Sequence, residues 1–111
     1  MDARPRALIV YQTSTGDEPF SRWFFSLRDH EAVARIARRL DRLERGNPGD
    51  CRSVGHGLME LRVNYGPGYR VYFGQDGPTR VLLLAGGSKL TQSQDIKVAA
   101  IYWRDYKERK R

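Results

Sequence analysis

The 111-residue sequence has one cysteine, Cys51, and two histidines, His30 and His56. A single thiol excludes an intrachain disulfide and any zinc site built on cysteine, and two imidazoles alone make no metal centre. Long apolar stretches are also missing. The longest, Val81-Leu82-Leu83-Leu84-Ala85, falls far short of the about 20 residues of a membrane span. Asp2, Arg4 and Arg6 precede only a short apolar segment, so no secretory leader is expected. No repeat, low-complexity tract or linker divides the chain. These absences lead to the expectation of a single domain over residues 1–111 in a reducing cytoplasm, with no metal, cofactor or membrane partner.

What is present is basic charge on a foldable background. Apolar residues make up 40% and aromatics 11%, enough for a modest core. Twenty Lys and Arg stand against 13 Asp and Glu, a net charge of +7. An acidic or polyanionic partner follows from that balance, with nothing implied about fold.

Hydrophobic spacing divides the chain into elements. Ala7-Leu8-Ile9-Val10-Tyr11 is β-prone and is closed by Thr13, Ser14 and Gly16. Phe20, Trp23, Phe24 and Leu27 recur at helical spacing behind Pro19, so a helix is expected over about 18–28. Val33, Ile36, Ala37, Leu40 and Leu43 trace the apolar stripe of a second helix, with Asp29 as N-cap and Gly46-Asn47-Pro48-Gly49 as its stop. Arg35, Arg38, Arg42 and Arg45 fall opposite that stripe, either as an edge facing phosphates or as a solvated face held by Glu31–Arg35 and Asp41–Arg45 pairs. From residue 51 the period becomes two, with turns at 64–68 and 75–78. The run at 81–85 does not alternate, as in a strand covered on both faces, and Gly86 and Gly87 are expected to end it. A last helix begins near Thr91 and leads into a basic tail at about 107–111. Trp23 and Trp103 are read as core. The expected fold is α+β, a mostly antiparallel four- to five-stranded sheet with two N-terminal helices and one C-terminal helix, packed on one face and leaving the other free.

Pleat parity then places charges. Leu61, Val63, Val71 and Phe73 share a core face only if Glu60, Arg62, Arg70 and Tyr72 lie on the other. Arg62 and Arg70 come out opposed across the ladder, which is unfavourable unless an anion or Glu60 answers them. With Lys89 beyond the glycine pair, Arg62 and Arg70 form a candidate phosphate clamp. Tyr65, Tyr69 and Tyr72 are candidates to stack on unpaired bases.

At these residues the sequence resembles the addiction-module killer proteins, HigB-like toxins of the RelE/ParE superfamily. The likeness rests on Glu60-Leu61-Arg62, Tyr65-Gly66-Pro67-Gly68-Tyr69-Arg70-Val71, Leu84-Ala85-Gly86-Gly87-Ser88-Lys89 and Gln94-Asp95-Ile96, and on Ile36-Ala37-Arg38-Arg39-Leu40 and Gly46-Asn47-Pro48-Gly49-Asp50 upstream. It implies a small α+β domain and the toxin of a type II toxin–antitoxin system, held by an antitoxin often of helix-turn-helix type. RelE- and HigB-like members are endoribonucleases that cleave mRNA, commonly on the ribosome. ParE-like members inhibit DNA gyrase with the same fold, so the fold alone does not choose between them. Arg70 and Lys89 occupy positions that in RNA-cleaving relatives contact the scissile phosphate, with Arg62 beside them. Glu60 stands where RelE carries a lysine.

The expected chemistry is metal-independent attack of a 2′-hydroxyl on its own 3′ phosphate, with Arg70, Lys89 and Arg62 stabilising the charge on the phosphate oxygens. Proton transfer needs a base and an acid. Glu60 and His56 are the candidates for the base, and Tyr72 for orienting or donating a proton. His30 is read as structural or exposed, and Cys51 as a passive small residue.

Overall fold

The computed structural model describes residues 4–110. Asp2, used in the leader argument, and Arg111, last of the basic tail, lie outside them. In chain order the elements are β1 (Ala7–Val10), α1 (Pro19–Ser26), α2 (His30–Glu44), β2 (Cys51–Ser53), β3 (Leu58–Val63), β4 (Tyr69–Asp76), β5 (Arg80–Ser88), a 3-10 turn (Lys89–Thr91) and α3 (Gln92–Arg109). The strands form one sheet in the order β1-β5-β4-β3-β2. β1 runs parallel to β5, and the other three pairings are antiparallel, so the α+β domain is built on a mixed sheet. Among the described residues no helix is long and apolar enough to cross a membrane.

Local chemistry accounts for the element ends. Asp29 caps α2 by accepting from the Glu31 and Ala32 amides at 3.0 and 3.2 Å. Pro19 opens α1, where its missing N–H costs nothing. Residues 51–53 do pair, through Arg52 opposite Glu60, which settles the strand count at five.

Both sheet faces are covered. α1 and α2 bury Phe20, Ile36 and Leu43 against Leu61, Val71, Phe73, Val81 and Leu83. α3 buries Ala99 and Trp103 against Leu58, Tyr72, Leu82 and Leu84 on the other side. The expectation of helices on one face and an open second face is therefore corrected. α3 carries an apolar stripe of its own, and the second face is where it is buried.

The Gly86-Gly87 pair does not end β5, which continues to Ser88. Nor do these glycines make room for a ligand. A Cβ at Gly86 would overlap the Trp23 ring, and one at Gly87 the Asp95 carboxylate. They are sockets for the protein's own side chains, one from each helical layer. Where the glycines lie, the register is already shifted. A bulge beside Tyr72 and Phe73 leaves Leu84 and Ala85 both on the α3 side.

The basic tail is ordered helix as far as Arg109. Lys107 lies over the Trp103 ring at 5.3 Å, Lys110 pairs with Asp76 at 2.5 Å, and Asp105 takes both Arg109 and the Tyr11 hydroxyl. Tyr106 stacks on Trp103 and donates to Asp76 at 2.6 Å.

Two outcomes follow. Gly74 faces Trp103, and a Cβ there would lie 2.5 Å from the indole. Gly74→Ala should cost about 1–3 kcal/mol, read as a lower urea midpoint at unchanged slope. Burial, and then the bond to Asp105, push the Tyr11 phenol from 10.0 up to about 12. The folded state thus favours the neutral phenol, and its contribution is whole below about pH 10 and lost as pH rises through about 12. Urea unfolding across that window should show a smaller alkaline loss for Tyr11→Phe than for the parent chain.

Candidate functional site

The β3–β4 hairpin pairs Arg62 with Arg70 and Glu60 with Tyr72, as pleat parity requires. The two guanidinium groups then part. Arg62, about one-third exposed, donates from Nε and Nη2 to Asp50 Oδ1 at 3.2 and 2.8 Å. Its guanidinium beside Asp50 holds that carboxyl below the usual carboxylate range. Arg70 turns inward and is only 7% exposed. Its Nη1 donates to the Tyr69 carbonyl at 3.2 Å, while its Nε lies 3.9 Å from Glu60 Oε1 and has no hydrogen-bond partner. The like-charge pair is thus answered by the protein's own acids.

Glu60 is fully buried. Arg52 Nε donates to its Oε1 at 3.0 Å, and the Tyr72 hydroxyl and Gln92 Nε2 donate to Oε2 at 3.1 and 2.6 Å. One carboxylate so joins β2, β3, β4 and α3. Both of its oxygens are engaged, which removes it as an accessible general base and makes it the counter-charge that sets Arg70 in place. Burial, and then the Glu60 charge, push the Tyr72 phenol well above its usual value. It stays a donor to Glu60, and being wholly buried it offers no ring for a base to stack on. The roles given to Glu60 and Tyr72 from sequence are corrected accordingly.

Lys89 is exposed, first in the 3-10 turn. Its amide donates to the Gly68 carbonyl at 2.8 Å. A Cβ at Gly68, which has a φ of +82°, would meet Arg70 Nη1 and Lys89 Cβ, each at 3.5 Å. Lys89 and Arg70 therefore flank one glycine of the 64–68 turn, an exposed lysine beside a sunken guanidinium. His56 is elsewhere. It sits in the β2–β3 loop with a φ of 59°, at the far end of β3 from Arg62. At about 3.4 Å per residue that is more than 10 Å along the strand, too far to share a phosphate with Lys89.

The remaining candidates lie on the α1–α2 side. Tyr69 packs near Trp23 at 6.5 Å between ring centroids. Tyr65 lies under Arg35, whose guanidinium carbon is 4.6 Å from the ring centroid, and its hydroxyl reaches Asp29. Arg35 and Arg38 both pair with Glu31, at 2.9 and 3.5 Å. Arg42 has no side-chain partner among the described residues. Burial pushes the Cys51 thiol up to about 11, which leaves it unreactive. His30 is exposed at the start of α2. Among the described residues no group of three metal-ligating side chains is assembled.

Sequence reasoning missed Arg52, Gln92 and Arg39. Arg52 is alone among them in carrying a legible signal, its place one strand over from Glu60. Arg39 donates to the carbonyls of Arg62, Pro48 and Asp50 and so fastens α2 to the β3 end.

No family model matches the chain. An uncharacterized protein of Haemophilus influenzae is 45% identical over 82 residues, which span 74% of this chain and 83% of that protein. The chain belongs to that protein's family.

The Glu60 network yields a direct test. Glu60→Leu leaves Arg70 buried without its counter-charge and should cost about 3–5 kcal/mol in urea unfolding. Adding Arg70→Met should recover most of that loss, and independent costs would mean that the two charges do not depend on each other.

Proposed function

We propose that the chain is the toxin of a type II toxin–antitoxin pair and acts on RNA as an endoribonuclease of mRNA, probed most directly on the translating ribosome. The observation that carries this reading is the placing of Lys89 and Arg70 on either side of Gly68, with the Arg70 guanidinium held beside the Glu60 carboxylate. A phosphate seated over Gly68 would come beside the exposed Lys89 side chain and a guanidinium already held by Glu60. Fixed donors stabilise charge that develops on non-bridging oxygens without reorganising, and each is worth about 10²–10³ in rate. The +7 net charge favours association with RNA. The HigB-like pattern of Gly68-Tyr69-Arg70 and Gly86-Gly87-Ser88-Lys89 supports the same reading, and a helix-turn-helix antitoxin is its expected partner.

A specific observation favours a second reading. Glu60 has both oxygens occupied and His56 is remote, so neither sequence-derived base reaches the phosphate over Gly68. A toxin that binds without cleaving, a ParE-like inhibitor of DNA gyrase, has no need of one.

The fate of a message separates the two, and Lys89→Ala tests the site, because the side chain is exposed and its removal leaves the Glu60 network whole. Arg70→Ala would not serve, since it strands Glu60. On induction, primer extension of a reporter mRNA should show discrete new 5′ ends, weakened about 10²-fold in Lys89→Ala with growth restored. Intact message with an SOS response selects the gyrase reading, and no growth arrest at all overturns the toxin assignment.

A further inference from the structure

The strongest positive feature outside the Lys89–Arg70 site is a groove of about 300 Å³ between α2 and the end of β3. Arg35, Arg38, Arg39 and Arg42 line it against a single acid, Glu31, with Asn64 at its lower edge. Four guanidiniums face one carboxylate, so the groove is net positive. The four differ in freedom. Arg39 is spent on backbone carbonyls. Arg35 is shared between Glu31 and the Tyr65 ring. Arg38 touches Glu31 only at 3.5 Å, and Arg42 has no side-chain partner among the described residues. Two guanidiniums, one turn apart, are therefore available to an outside anion.

The chemistry of the groove favours a nucleic-acid backbone over an acidic protein. A protein interface has an apolar centre with a polar rim, and here Val63 is the one apolar residue in the lining. The large exposed apolar side chains, Phe25, Leu90 and Ile101, lie elsewhere. Guanidinium groups in a row, with one already stacked on an aromatic ring, suit successive phosphates and bases.

Position links the groove to the first site. Asn64 follows β3 and Gly68 precedes β4, and Val63 pairs with Tyr69 directly behind them. The groove and the Lys89–Arg70 site thus sit on the two arms of one turn, 64–68. We propose that Arg38 and Arg42 form a second backbone contact for single-stranded RNA, which passes from α2 around this turn to Lys89. The inference rests on the RNA reading of the Lys89–Arg70 site and extends it to the path of the strand.

The test uses the full chain and a fluorescein-labelled, unstructured RNA, with anisotropy followed over a range of KCl. Arg38→Ala with Arg42→Ala should flatten the dependence of log K on log salt by about 0.7 for each phosphate no longer neutralised. Lys89→Ala should flatten it further and additively, with melting temperatures of the groove variants unchanged. Glu31→Gln should tighten binding, an effect that a merely structural role for the groove would not produce. A groove variant that binds like the parent while Lys89→Ala weakens binding overturns the inference and leaves the RNA reading standing. Unchanged RNA binding together with abolished binding of poly-glutamate assigns the groove to an acidic protein and also overturns it. If the parent chain shows no salt-dependent binding of RNA, the groove inference and the RNA reading fall together.

Discussion

A carboxylate with no access to water organises this molecule. Glu60 is sealed between the sheet and α3, where an ionised group without partners would cost several kcal/mol. Its partners come from three elements besides its own strand, Arg52 on β2, Tyr72 and Arg70 on β4 and Gln92 on α3. The short β2 has little to hold it beyond three paired residues, and Arg52 gives it a charged tether. The first turn of α3 is drawn onto the sheet by Gln92. The depth at which Arg70 lies is set by the same group, since a guanidinium can be buried only beside a counter-charge. The seating of the first turn of α3 and the placement of Arg70 are two consequences of one interaction.

Much of the fold was legible because it depends on periodicity. The stripe on α2 and the alternation of β3 and β4 set the elements, and parity alone placed Arg62 opposite Arg70. Parity names the face of a strand and is silent on what covers that face. The signals for cover were present in other residues. Tyr72 is a large ring on the face read as open, the 81–85 run does not alternate, and Ile96, Ala99, Ala100 and Trp103 on the last helix need apolar surface to meet. Taken together they require a sheet buried on both sides. The Gly86-Gly87 pair was illegible for a different reason. A glycine that admits a ligand and one that admits a tryptophan look the same in sequence, and only the position of Trp23 separates them.

The candidate site was legible in its cations and not in its acids. Spacing located Arg70 and Lys89, but whether a charge is free depends on partners brought from distant parts of the chain. Arg62 and Asp50 are twelve residues apart and meet only because the pairing of β2 with β3 sets that acid at the strand end. Glu60 was weighed as a base because its strand position faces the arginines. It faces them as their counter-ion, and the geometry that satisfies Arg52, Tyr72 and Gln92 is what withdraws its oxygens from any substrate.

The resulting division of labour among the cations follows from their burial. Arg70 is fixed and screened from salt, so it can act on a phosphate only at close range, where a set orientation counts most. Lys89, Arg38 and Arg42 stand in water, where attraction is damped beyond about 8 Å at physiological ionic strength. On the proposed RNA reading their use lies in capturing and aligning a polyanion, which several weak contacts spread along a strand can do and one cannot. A buried cation at the turn and exposed ones on both of its arms therefore make a surface suited to a chain of phosphates and poorly suited to a lone phosphate ion, for which the outer contacts would contribute nothing.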